Sequence, residues 1–365
     1  MEKLEESIKR LEDENSKLFE ELKRKKVKLS SMMKELQEKN AELSERSRDL
    51  SDSVNYAKRI QLAIMPPRHE VNKMMEESFI MYLPKDVVSG DFYFVEKIDD
   101  QVIFAVVDCT GHGVPGALMS VVGFNCLDQA ITKDRMTRPC DILSFLDEGV
   151  NATLRQTADA SGVKDGMDLG LCTFDVVTNV LQYSGAYNPA YIVTKSDRLE
   201  VIREREIDVL HPRVVGSKAE KEAVAELASV GGSKNGAHGA RAWLGGRETV
   251  SFEPSISLDG RHLFEIKADK LPIGVNLDGV VDIYTNNTVQ LAPGDTVYLF
   301  SDGYADQFGG ANCKKFKYHR LKQMLVSIQD KTMIAQKRIL VKSFNHWKGE
   351  EDQIDDVLIM GLRVV

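Results

Sequence analysis

Cysteine is scarce in this chain of 365 residues: Cys109, Cys126, Cys140, Cys172 and Cys313 are scattered, and none forms a CxxC pair. An odd count without metal-site spacing argues against a disulfide framework or a thiolate zinc site, and fits reduced thiols in a cytoplasmic protein. No run approaches the roughly 18 apolar residues of a membrane span, and Met1–Arg10 does not read as a signal peptide. Basic charge is not in excess either. Against 48 Lys+Arg stand 56 Asp+Glu, a net charge of −8, which speaks against a general nucleic-acid binder. The 42% hydrophobic content suffices for a core and excludes a wholly disordered chain.

Glycine and proline are missing altogether before Pro66, and 26 of the first 50 residues are charged with a sum of zero. In that stretch Leu22, Leu29, Leu36, Leu43 and Leu50 recur every seven residues, with Ile8 and Asn15 before them and Ala57 and Ile64 after. These are a positions of a heptad; Leu4, Leu11, Leu18, Lys25, Met32, Lys39, Arg46, Ser53 and Ile60 form the d set. The pattern predicts one long helix ending near Met65, because Pro66 disfavours helical geometry in the residue before it. A leucine seam on a solvated helix needs a partner, and Asn15 at an a position favours a parallel homodimer. Residues 1–53 are thus expected to be a dimeric parallel coiled coil. Residues 54–67 form a linker helix whose Ala57, Ile60, Gln61 and Ile64 keep the seam's spacing and would carry regulation to the rest, 68–365.

Beyond Pro66-Pro67 short apolar runs predict strands near 79–84, 91–98, 101–107, 168–176, 180–184, 189–194, 262–268, 281–286, 296–301 and 355–364. Helices are expected near 114–131, 139–157, 316–328 and 332–347. Strands in groups with helices between the groups indicate an α+β fold with largely antiparallel sheets. Acids recur at strand ends: Asp91 after Ser89-Gly90, Asp108 after Val102–Val107, Asp302 after Val297–Ser301, and Asp355-Asp356 before Val357. Hard cations such as Mg²⁺ or Mn²⁺ take such carboxylates together with carbonyl oxygens and water. Each Asp alone also reads as a turn former at a strand end. Spacing by itself leaves the two readings in balance.

Several motifs in one order carry a resemblance. Ser89-Gly90-Asp91-Phe92-Tyr93, Asp108-Cys109-Thr110-Gly111-His112-Gly113-Val114-Pro115-Gly116-Ala117, Leu299-Phe300-Ser301-Asp302-Gly303 and Asp355-Asp356 together resemble the PPM family of metal-dependent Ser/Thr protein phosphatases, in its bacterial SpoIIE/RsbU-like branch. Gly166-Met167-Asp168, Leu271-Pro272-Ile273-Gly274 and the lead-in Ala57-Lys58-Arg59-Ile60-Gln61 with Met65-Pro66-Pro67 are similar to that branch as well. The match covers roughly 55–365.

The resemblance implies a two-sheet antiparallel β-sandwich flanked by helices, holding two Mn²⁺ or Mg²⁺. It implies Asp108 as bridging ligand, the Cys109 backbone carbonyl, Asp302 and Asp355 as direct ligands, and Asp91 as a ligand through water. Asp356 is the fallback if the register is off by one, and Asp168 would hold a third metal or serve the structure. The implied chemistry is hydrolysis of phosphoserine or phosphothreonine by metal-activated water, with no thiol nucleophile. His112 is either a general acid for the leaving alkoxide or a helix-entry residue; Lys85 either touches substrate phosphate or is an ordinary exposed lysine. The implied substrate is a phosphorylated anti-sigma-factor antagonist or similar signalling protein, with an upstream sensor as a further expected partner.

The chain departs from the family between Val193 and Leu271, where a segment at about 200–260 reads as an insertion. Within it 218–230 suggests a short helix, Gly231–Gly236 a loop and Gly245-Gly246 a break, while His211 and His238 read as surface residues. Two rivals remain at this point: a catalytically silent coiled-coil binding module, and a hydrolase of small phosphoesters.

Overall fold

The computed structural model describes residues 1–155, 165–195, 204–209, 246–275 and 284–365. Helix α1 (Glu2–Ile64) fills the stretch that has neither Gly nor Pro and ends just before Pro66. The chain divides into two compact units, Met1–Ala57 and Lys58–Val365. In the first unit the heptad leucines are bare: Leu4, Leu11, Leu22, Leu36 and Leu50 are each more than half exposed. Its helix has its own backbone bonds and exposed pairs such as Lys25–Glu21 and Arg46–Glu42, both 2.7 Å, and such pairs contribute only a few tenths of a kcal/mol each.

The second unit begins at Lys58, and its strands are set by a period of two. In β12 (Thr296–Phe300), Val297 and Leu299 enter one core while Tyr298 and Phe300 enter another. In β15 (Val357–Arg363), Leu358 and Met360 take the first side and Val357 and Ile359 the second. Alternate side chains of a strand point to opposite faces, so a sheet covered on both faces reads as an unbroken apolar run. With β1 (Ser78–Leu83), β6 (Ala190–Lys195), β9 (Ile256–Leu258) and β10 (Arg261–Ile266), these strands form a sheet of order β1-β15-β12-β6-β10-β9.

The other sheet has the order β2-β3-β4-β5-β11-β7-β8. Its strands are β2 (Phe92–Ile98), β3 (Gln101–Cys109), β4 (Met167–Asp175), β5 (Val180–Ala186), β7 (Glu204–Val209), β8 (Gly246–Ser251) and β11 (Asn286–Gln290). Strand pairs in both sheets are antiparallel, so the α+β sandwich is as expected. The first core, with Phe104, Leu171 and Leu358, lies between the sheets and extends to Leu143 and Leu146 of α4 (Pro139–Leu154). The second core joins Tyr298 and Ile359 to Leu321 and Leu325 of α6 (Tyr318–Ser327) and to Leu340 and Phe344 of α7 (Met333–Lys348). Each such side chain, taken fully out of water, stabilises the fold by about 1.5–3 kcal/mol before the entropy of ordering it is counted.

Helix α3 (Gly113–Asp128) leaves the end of β3 and continues into a π-helical turn, Gln129–Lys133. The segment Gly113–Lys133 is long and apolar enough by composition to cross a membrane, yet its Met119, Leu127 and Ile131 are packed into the core.

Of the strand expected near 281–286, residues 281–283 lie outside the described residues, and the described strand runs Asn286–Gln290. Thr285 is held before it by the Asp269 carboxylate, through its backbone N–H at 2.6 Å and its hydroxyl at 2.9 Å. Within the segment at 200–260, β7 pairs with both β8 and β11, and β9 pairs with β10. The expected helix 218–230, the loop 231–236, His211 and His238 lie outside the described residues.

Candidate active site

Antiparallel register brings the acids of distant sequence to one end of the sandwich. Phe92 pairs with Val107, and Asp108 lies opposite Asp168 across β3 and β4. Phe300 pairs with Ile359, so Asp302 just after β12 and Asp355 just before β15 fall near each other. Ser301 stitches that junction: its N–H donates to the Leu358 carbonyl at 2.9 Å, and its hydroxyl accepts from the Leu358 N–H at 3.0 Å. A cavity of about 210 Å³ opens there, lined by Asp108, Cys109, His112, Asp168, Asp302 and Asp355 among others.

Glycine makes the close approach achievable. Gly111 sits at φ +81°, a region that L side chains resist. A Cβ on either Gly90 or Gly116 would press into the Gly111 carbonyl oxygen. The loop carrying Asp91, the loop after Asp108 and the first turn of α3 are therefore packed backbone to backbone.

The electrostatics of this cluster are those of carboxylates without a counter-ion. Burial pushes the Asp91 carboxyl well up, and the Asp108 charge adds to this while a hydrogen bond from Ser301 opposes it. Asp108 is likewise raised by burial and then by Asp302, Asp355 and Asp168. Burial, then Asp302, takes Asp168 up to about 6. Burial, then Asp355 and Asp306, takes Asp302 up to about 6, with Lys315 opposing. Asp91 is 2% exposed, and among the described residues its Oδ2 has no hydrogen-bond partner; burying such an oxygen unsatisfied is costly.

This donor set suits a hard divalent cation. Its oxygens are carboxylates, their mutual repulsion is what a cation would relieve, and Asp91 Oδ2 awaits a partner. Among the described residues no three acidic, thiol or imidazole groups close a single metal shell by themselves, so water would have to complete it.

The neighbouring acid is engaged differently. Asp356 Oδ1 accepts from the Lys85 N–H and Oδ2 from the Gly90 N–H, both at 2.7 Å, so both of its oxygens serve the backbone. Asp355 faces the cavity instead. Lys85 meets Asp356 through its main chain, and its half-buried side chain is not part of the cavity wall. The Cys109 thiol is 4% exposed and driven well up by burial and by Asp108 and Asp91; a thiol so protonated is a poor nucleophile.

Two partnerships escaped the sequence reading. His112 Nδ1 lies 2.6 Å from Asp86 Oδ2, with both side chains about half exposed, at the cavity mouth. Asp86 follows Lys85 in a stretch with no periodic signal. Gln61, on the last turns of α1 and within the second unit, is 4% exposed. Its Nε2 donates to the Ser89 carbonyl at 2.6 Å and to the Ser120 hydroxyl at 2.9 Å, and its Oε1 accepts from the Ser89 N–H at 3.2 Å. Ile64 packs partly buried against the core, whereas Ile60 is 50% exposed.

A family model described as stage II sporulation protein E (SpoIIE) matches residues 98–218 and 253–365. Among solved structures, the SiaA-PP2C domain of Pseudomonas aeruginosa is similar at 27% identity and a TM-score of 0.62, with 87% of this chain and 98% of that one covered. The PP2C phosphatase domain of SpoIIE from Bacillus subtilis, solved with a fragment of its regulatory domain, shares 14% identity at a TM-score of 0.48 over 79% of this chain and 62% of that one. No curated protein sequence matches the chain.

Proposed function

The chain belongs to the SpoIIE family and carries a PP2C-type phosphatase domain, and on that premise we propose that it is a Mn²⁺- or Mg²⁺-dependent phosphoserine/phosphothreonine protein phosphatase of a bacterial signalling pathway. The observation that carries this reading is the convergence of Asp91, Asp108, Asp168, Asp302 and Asp355 on one strand-end cluster, where burial and then neighbouring charge hold the Asp91, Asp108, Asp168 and Asp302 carboxyls up.

In this reading Asp108, Asp302, Asp355 and the Cys109 carbonyl would hold two cations, Asp91 would contribute through water, and Asp168 would hold a third or serve the structure. When bound, such ions lower the pKa of water and counter charge on phosphoryl oxygens. In this reading His112, on the cavity wall, gives a proton to the leaving alkoxide, and Asp86, 2.6 Å from its Nδ1, fixes the ring. Asp356 keeps the Lys85 and Gly90 amides in place, which holds the Asp91 loop against β15.

The substrate in this reading is a phosphorylated anti-sigma-factor antagonist or a similar small signalling protein. The bare leucine row of residues 1–53 supports a homodimer through a parallel coiled coil. Gln61 supports regulation through residues 54–67, driven by an upstream sensor, because it binds both polar groups of the Ser89 main chain beside Asp91. Five free cysteines support a cytoplasmic location.

The experiment is phosphate release from phosphoserine proteins with Mn²⁺, with Mg²⁺ and with chelator. Turnover that needs metal is expected. Hydrolysis of p-nitrophenyl phosphate alone would indicate a small-ester hydrolase, and no turnover of any substrate would leave a silent binding module.

A further inference from the structure

We propose that the lysine-bearing face of segment Lys314–Arg320 beside the cavity is a docking platform for an acidic stretch of the protein substrate, a proposal that rests on the phosphatase reading above. Between Asp306 and Asp330 the chain has no Asp or Glu, yet it holds Lys314, Lys315, Lys317, Arg320 and Lys322. In a chain of net charge −8 this is a concentrated patch of the opposite sign.

The patch is built on a fixed frame. Strands β13 (Phe308–Gly309) and β14 (Lys314–Lys315) make a small hairpin, and the Gly310 N–H donates to the Trp347 carbonyl at 2.8 Å. The Phe316 N–H donates to the Gln307 carbonyl at 3.0 Å and the Lys317 N–H to the Ala305 carbonyl at 2.7 Å. The Phe316 ring stands edge-on to Tyr304 and to Trp347, at 5.1 and 5.4 Å between centroids. Lys317 is held at φ +75°, an unfavourable conformation for a residue with a side chain, and the packing around it sustains that conformation.

Three of the bases are committed to this frame. Lys315 pairs with Asp306 at 2.7 Å, the Arg320 guanidinium lies 4.4 Å from the Trp347 ring centroid, and Lys322 pairs with Glu265 at 2.9 Å. Lys314, Lys317 and His319 are exposed, and among the described residues their side chains have no hydrogen-bond or ion-pair partner. The frame thus presents two uncompensated lysines to solvent.

Its position relative to the cavity follows from a single turn, α5 (Gly303–Asp306). Asp302 opens that turn, its carbonyl accepts from the Asp306 N–H at 3.0 Å, and Asp306 holds Lys315. Carboxylates that flank a phosphoserine are attracted by the lysines beside the cavity, so a substrate with acidic residues next to its phosphate would be steered and oriented toward it.

The test uses the full chain and two phosphoserine peptides, one flanked by glutamates and one by lysines, with p-nitrophenyl phosphate as the small ester. The wild type is expected to favour the acidic peptide in kcat/KM by about tenfold at low salt, a preference that fades as salt rises. Lys314→Glu/Lys317→Glu should abolish or reverse that preference while p-nitrophenyl phosphate turnover stays within about twofold. Binding of the fluorescent acidic peptide in chelator, read by anisotropy, should weaken in step. Equal treatment of the two peptides by the wild type, an unchanged preference in the double variant, or displacement of the acidic peptide by a single-stranded oligonucleotide at lower concentration than by itself would overturn the docking assignment. If no ester is hydrolysed by the wild type, the phosphatase reading fails, and the anisotropy comparison alone then decides the docking claim.

Discussion

Gln61 and Ser89 are joined twice: the Gln61 amide donates to the Ser89 carbonyl at 2.6 Å and accepts from the Ser89 N–H at 3.2 Å. Ser89 in turn accepts on its hydroxyl from the Asp91 N–H at 3.1 Å. Two hydrogen-bonded contacts therefore separate the end of α1 from a buried carboxylate of the candidate site.

Gln61→Ala removes that clamp and leaves the Ser89 carbonyl, the Ser89 N–H and the Ser120 hydroxyl short of a partner. A loss of about 1–3 kcal/mol of stability is expected, together with a rise in the Mn²⁺ needed for half-maximal activity. Thermal melts and a metal titration read the two effects separately. Ile60→Glu places a charge at a d position of the same helix and should likewise change the rate or the metal requirement. An unchanged rate and metal requirement in both variants would remove residues 54–67 from the regulatory proposal.

Asp108→Asn and Asp302→Asn should each lower turnover by several orders of magnitude with the fold retained, since each takes a negative charge from the cluster that would hold the metals. Cys109→Ala should have a much milder effect, because its buried thiol is kept protonated. Steady-state kinetics with circular dichroism on each variant checks both.

Acid should stabilise the metal-free protein. Asp168 and Asp302 titrate near 6 in the fold against about 3.9 in an unfolded chain. Between those values the folded state binds more protons than the unfolded one, so stability rises as pH falls from about 6 to about 4. Melting temperatures in chelator should climb over that window until other groups titrate. Added Mn²⁺ should raise the melt most near neutral pH, where the carboxylates are ionised. A chelated protein that loses stability steadily from pH 7 downward would contradict the carboxylate cluster.

His112 and Asp86 should matter in proportion to how poor the leaving group is. His112→Asn is expected to slow phosphoserine hydrolysis by about 10²-fold or more and p-nitrophenyl phosphate hydrolysis little, because nitrophenolate leaves without a proton. Asp86→Asn should show the same selectivity at smaller size. Equal loss on both esters would make the pair structural.

Removal of residues 1–50 deletes the exposed leucine row, and the remaining protein should sediment as a monomer. Inserting four residues after Leu50 would turn the helix beyond it by roughly 40° and should change the rate or the metal requirement. A tight dimer after truncation would transfer the interface to the second unit.

Much of this molecule is readable from local pattern alone. The first 64 residues read as one helix, because no Gly or Pro interrupts them and their heptads repeat. The strands of the second unit announced themselves as apolar runs, and the acids that matter stand at the ends of those runs. What pattern could not supply was partnership. Asp86 and His112 are 26 residues apart, Gln61 and Ser89 are 28 apart, and Asp356 lies 266 residues from Gly90. Hydrogen-bond partners across such separations depend on where two backbones cross, which periodicity does not encode.

The same limit decided between Asp355 and Asp356. Adjacent in sequence and identical in chemistry, they differ only in which side of the chain each leaves: Asp356 turns to the Lys85 and Gly90 amides, and Asp355 to the cavity. Residue type and periodicity are local, so helix, strands and strand-end acids followed from the sequence directly. Which carboxylate faces the cavity, and which amide clamps the loop beside it, is set by the antiparallel packing of two sheets and by glycines that let three backbones touch.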